Sequence, residues 1–68
     1  MTDFQMRVVA EKEDLDKKIA GLGVFFGKEI FATVPSDERQ RLLDQYHVMR
    51  KYSEILADRI ANFVLPIA

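Results

Sequence analysis

Apolar positions fall into two long runs of helical spacing with a short break between them. In the first run, Phe4, Val8, Leu15, Ile19, Leu22 and Phe26 follow at steps of four, seven, four, three and four. That places them on one face of an α-helix and predicts a first helix over about 2–26. Thr2 is a good N-cap, Gln5 three positions later completes a capping-box pattern, and Asp3 suits the positive end of the helix dipole. In the second run, Leu42, Tyr46, Met49, Ser53, Leu56, Ile60 and Phe63 alternate steps of four and three. This is a heptad-like period, suited to packing nearly parallel or antiparallel to another helix. It predicts a second helix over about 36–64 that stops before Pro66, with Ser36 as N-cap and Asp37 and Glu38 in its first turn.

The break, residues 27–35, holds Gly27 and KEIFATVP. Gly27 suits a left-handed residue just past the first helix. Ile30, Phe31 and Val34 are too apolar for a solvated loop and predict a short 3₁₀ turn that plugs the end of a hairpin. The glycines Gly21 and Gly23 lie within the apolar pattern and stay helical, each at a cost of roughly 1 kcal/mol relative to alanine. Folding the helices together with partner numbers summing to about 64 sets Phe4 on Ile60, Val8 on Leu56, Leu15 on Met49 and Leu22 on Leu42. The predicted fold is therefore all-α: one antiparallel two-helix hairpin spanning residues 1–68.

Two helices cannot enclose a core, and apolar residues also lie off the seam: Val9, Val24, Phe25, Val48, Tyr52, Ile55 and Val64. Left bare, they exceed the patch a soluble monomer usually carries. Length sharpens the point. A chain of 68 residues is one small domain, and such chains usually need disulfides, a metal or a partner for stability. There is no cysteine, and the lone His47 has no companion at a metal-ligand spacing, so no metal or cofactor is expected. Self-association remains, as a four-helix bundle or larger assembly. The expected interface is Val9, Phe25, Val48 and Ile55, with Gly21 and Gly23 allowing close approach of helices.

Charge narrows the function classes. Ten basic and eleven acidic residues are well mixed, giving a formal net charge of −1. Arg39, Arg41, Arg50 and Lys51 lie on the second helix, but the acids between them leave no basic groove-entering face for DNA. No stretch approaches the about 20 apolar residues of a membrane span, and the charged N-terminal segment is unlike a secretion signal. The expected compartment is the cytoplasm. The carboxylates Glu11, Glu13, Asp14 and Asp16 alternate with Lys12, Lys17 and Lys18, as on a solvated helix face. Ser36 and Ser53 have no histidine at a suggestive spacing, so no enzyme is expected. The run GLGVFFGK lacks the spacing of both a P-loop and a dinucleotide fingerprint, and no strand precedes it.

One constellation survives. Gln45, Tyr52 and Arg59 stand seven apart and share an edge of the second helix. On the sum-to-64 register, Ile19, Lys12 and Gln5 lie opposite. Lys12, Tyr52 and Arg59, with Gln45 and Gln5 beside them, then form a candidate site for an anionic ligand containing a base. Arginine forks a phosphate, lysine adds charge, and tyrosine stacks on a base. The ordinary reading of the same residues is that Lys12 and Arg59 lie over the seam and pair with Glu11, Asp58 or a neighbouring subunit.

The segments RVVAEKEDLDKKI and ERQRLLDQYHVMRKYSEILADRIANF, with the turn aromatic Phe31, resemble a family of short helical-hairpin accessory proteins of tailed phages and prophages. The resemblance covers most of the chain, and its recurring positions map onto Glu11, Lys12, Leu15, Gln45, Met49, Tyr52, Leu56, Arg59 and Ile60. Gly21 and Gly23 depart from the family's usual polar or small residues there. In size and architecture the chain also looks like short phage hairpins that oligomerise and sequester nucleotide immune signals. The resemblance implies a phage counter-defence protein binding itself and either a cyclic nucleotide or a host defence protein. The competing expectation is a protein–protein inhibitor or assembly factor docking through Val48, Tyr52 and Ile55; a transcriptional regulator ranks third.

Overall fold

The computed structural model describes residues 1–63. Val64 and Pro66, and with them the expected end of the second helix at 64, lie outside the described residues. Helix α1 spans Asp3–Phe26, a 3₁₀ turn spans Glu29–Thr33, and helix α2 spans Ser36–Ala61. No strand occurs among the described residues. The molecule is a rod of 57 × 15 × 14 Å.

Helix α1 starts as its sequence dictates. Thr2 is extended, its hydroxyl accepts from the Gln5 amide at 3.1 Å, and Gln5 Oε1 accepts from the Thr2 amide at 2.9 Å. The box closes two of the backbone donors that a helix start leaves open. Its other end differs from expectation. Gly27 keeps a right-handed conformation (φ −86°), and its amide and that of Lys28 donate to Val24 O and Phe25 O. These i→i+3 bonds run directly into the 3₁₀ turn, so no left-handed residue is needed. Phe31 is the plug: its ring lies 5.6 Å from that of Phe25 and 5.0 Å from that of Phe26, and Phe26 in turn meets Tyr46 at 5.3 Å. Ile30, expected in the plug, is exposed.

At the start of α2, Pro35 is the cap and Ser36 is already helical, with no side-chain cap bond. The extended Pro35 (ψ 144°) gives its carbonyl to the Arg39 amide, which begins the ladder one residue earlier than the Ser36 cap would. Asp37 and Glu38 still bring negative charge to the first turn.

The seam is buried, but its register is one helical turn from the expected one. The Ser53 hydroxyl donates to Asp16 across the helices, and a Cβ on Gly23 would touch the Tyr46 ring. Both pairs sum to 69, not 64. The reason is the first residue of the stripe. Phe4 is 61% exposed, whereas Gln5 is buried. The true α1 seam is Gln5, Val8, Lys12, Leu15, Ile19, Leu22 and Phe26, alternating steps of three and four like the α2 stripe. Polar Gln5 enters because the capping box holds it. Lys12 enters because its ammonium reaches Asp16 Oδ2 at 2.7 Å while its stem covers the seam.

Val8, Leu15 and Leu56 form the buried core, with Ile19, Met49, Ile60 and Phe63 packed against it. Leu56 is fully buried. Burying a leucine stabilises by about 1.5–3 kcal/mol, so three such residues make a slight core. A compact protein of 7.9 kDa exposes about 4,400 Å²; this rod exposes 5240 Å².

Candidate functional site

Heptad packing gives the hairpin two flanks, one on each side of the seam. Residues that follow a seam position lie on one flank, as an open groove of about 220 Å³ shows: Asp16, Arg50 and Glu54 line it with the seam residues Ile19 and Ser53. Its polar groups are mutually engaged. Asp16 Oδ2 receives the Lys12 ammonium at 2.7 Å and Asp16 Oδ1 receives the Ser53 hydroxyl at 2.5 Å. Hydrogen bonding to Lys12 and then to Ser53 holds the Asp16 carboxyl below its ordinary value of 3.8. The Arg50 guanidinium lies 5.8 Å over the Tyr46 ring, and Glu54 pairs with Lys51 at 3.7 Å.

Residues that precede a seam position lie on the other flank. On α2 these are Gln45, Val48, Tyr52, Ile55 and Arg59, alternating steps of three and four. All five are exposed, Val48 at 68%, Ile55 at 46% and Tyr52 at 41%. On α1 the same flank carries Phe4, Arg7, Glu11, Asp14, Lys18, Gly21 and Phe25. Among the described residues, Arg59, Asp14 and Lys18 enter no ion pair.

The expected ligand residues therefore divide. Gln45, Tyr52 and Arg59 share one exposed edge; the Gln45 amide donates weakly to Met49 Sδ at 3.7 Å. Lys12 and Gln5 do not join them. With partners summing to 69, Lys12 is level with Ala57 and Tyr52 with Lys17, one turn away from the expected meeting of Lys12 and Tyr52. Lys12 is committed to Asp16, and Gln5 to Thr2. The expected interface residues divide as well. Val48, Ile55, Gly21 and Phe25 lie on the exposed flank, while Val9 and Gly23 lie on the groove side, Gly23 against Tyr46. The sequence reading missed the groove itself. Its one signal was Ser53, a polar residue inside an otherwise apolar stripe, which needs a partner across the seam.

No helix among the described residues is long and apolar enough to cross a membrane.

Residues 2–62 match the family model described as Sequestin. A protein of Enterobacteria phage T4, described as an uncharacterized 7.5 kDa protein in the denB-rIIB intergenic region, is 40% identical over 63 residues, covering 93% of this chain and 98% of that protein. No solved structure matches. The chain belongs to the Sequestin family, a family of small phage proteins.

Proposed function

We propose that this protein is a non-enzymatic phage accessory protein that sequesters a ligand, and that the ligand is a nucleotide immune messenger bound where copies of the chain meet. The family's name speaks of sequestration, which is a binding role. The observation that carries the finer reading is the exposed edge Gln45–Tyr52–Arg59, with an accessible ring and an arginine that enters no ion pair among the described residues. A guanidinium can fork a phosphate while the phenol ring stacks on a base. The lower registration of Lys12 shifts the expected site to this α2 edge. Homo-oligomerisation belongs to the reading, because one exposed helix edge does not surround a ligand and two copies can.

Calorimetric and thermal-shift titration with a panel of cyclic di- and oligonucleotides tests it. Binding that is lost in Arg59→Ala and Tyr52→Ala, with helicity unchanged, supports it; no binding across the panel overturns the messenger. A second reading is favoured by the apolar character of Val48, Tyr52 and Ile55: a host or phage protein docks on that stripe and is inhibited or assembled by it. Pull-down from host lysate with wild-type and Val48→Glu protein separates the two readings.

A further inference from the structure

We infer that the α2 stripe centred on Tyr52 is a self-interface: a second copy packs against it antiparallel, about a twofold axis passing beside Tyr52. The stripe is palindromic in shape about that residue. Val48 and Ile55 stand four before and three after it, and Gln45 and Arg59 stand seven before and seven after. An antiparallel copy therefore sets Tyr52 on its own equivalent, Val48 on Ile55 and Gln45 on Arg59. Such symmetry makes a patch complementary to itself, the requirement of a twofold interface.

The charges on α1 fit the same axis. The hairpin register sets Tyr52 level with Lys17, between Asp14 and Lys18, which lie on this flank and form no ion pair within the chain among the described residues. Rotation about the axis brings Asp14 of each copy to within two residues of level with Lys18 of the other, and the two Lys18 equally near each other, so the two Asp14 offset a pair of lysines at the axis. Laying α1 of one copy over α2 of the other would instead put Asp14 and Lys18 on the apolar stripe and desolvate them without partners. The area is sufficient. Two helices side by side, each about 10 Å wide and 36 Å long, present roughly 700 Å², near the 800 Å² per partner of a standard interface. The inference rests on the self-association in the sequestration reading and changes its site in one respect: Tyr52 packs at the axis, and the ligand contacts move to the Gln45–Arg59 ends. It builds each Gln45–Arg59 end of the stripe from both copies.

The chain has no cysteine, so a single introduced thiol reports on the axis cleanly. Tyr52→Cys should oxidise to a covalent dimer, whereas Val24→Cys, more exposed but on the outer face of α1, should not. In sedimentation equilibrium, Asp14→Lys and Lys18→Asp should each weaken the dimer about tenfold, and the double swap should restore it. A monomer at every concentration overturns the inference. So does a dimer that links equally well through Val24→Cys, or one indifferent to the charge swaps. A dimer with the expected cross-link that binds no nucleotide leaves this interface standing and removes the messenger.

Discussion

The two flanks of the seam come from the same helices and have opposite characters. On one flank the polar groups that line the groove have found partners: Asp16 with Lys12 and Ser53, Arg50 over Tyr46, Glu54 with Lys51. On the other flank Val48, Tyr52 and Ile55 face water, and Asp14, Lys18 and Arg59 have no ion partner among the described residues. A flank whose interactions are closed within one chain has little to offer a ligand. A flank that leaves apolar area bare is stabilised when something covers it, provided the charges beside it find partners. The contrast is why the proposed site and interface lie on the flank the fold did not use for itself.

The comparison is broken most severely from its shared middle. Leu56 is fully buried between the flanks, and Leu56→Ala should destabilise the chain by about 2–5 kcal/mol in chemical denaturation. With so slight a core that loss unfolds the monomer, and any flank-specific property disappears with it. Leu56→Asp should abolish the helical signal altogether, since the carboxylate would be buried unpaired.

How far this contrast was legible in the sequence depends on range. Helices, the Thr2–Gln5 box and the α2 heptad are local, and their residues announce them. Register is not local. A sum of 64 puts Phe4 first in the seam, and a phenylalanine is usually more buried than a glutamine. The box instead fixes Gln5 inward and leaves Phe4 outside. Once Gln5 and Lys12 are admitted to the stripe, α1 shows the same unbroken heptad as α2. The groove and the separation of Lys12 from Tyr52 follow from that one-turn shift. No spacing rule reveals a bond like Asp16–Ser53 between residues 37 apart.

The closed flank should reveal itself on acidification. Asp16 has a lowered folded-state value, so its contribution to stability is present above the ordinary carboxylate range. That contribution is lost as pH falls through the lowered value. Wild type should therefore lose stability more steeply than Asp16→Asn below about pH 4 in urea titrations. Equal slopes would remove the Lys12–Asp16–Ser53 cluster from the account. Ser53→Ala should flatten the slope in part.

On the open flank, Gly21 offers a smaller and opposite effect. A Cβ there would meet nothing within 4 Å, and the residue sits inside α1 without a left-handed backbone. Gly21→Ala should raise stability by roughly 0.5–1 kcal/mol, because alanine loses less backbone freedom on folding. A rise in thermal midpoint with the dimer intact places Gly21 outside any close helix crossing. A weaker dimer would make it a contact point of the two copies.

The smallest stability effect belongs to the residue on which the proposed site depends most. Arg59 lies exposed in the last turn of α2, where a cation meets the negative end of the helix dipole. It holds no carboxylate among the described residues, so Arg59→Ala should change folding stability by about 0.5 kcal/mol or less. If the exposed edge serves a phosphate-bearing ligand, the same substitution should abolish binding in calorimetry while the circular dichroism melt barely moves. If Arg59 only braces the second copy against Gln45, binding and dimerisation should weaken together. Measuring both on one variant separates a ligand residue from a structural one, because the fold itself makes almost no demand on that side chain.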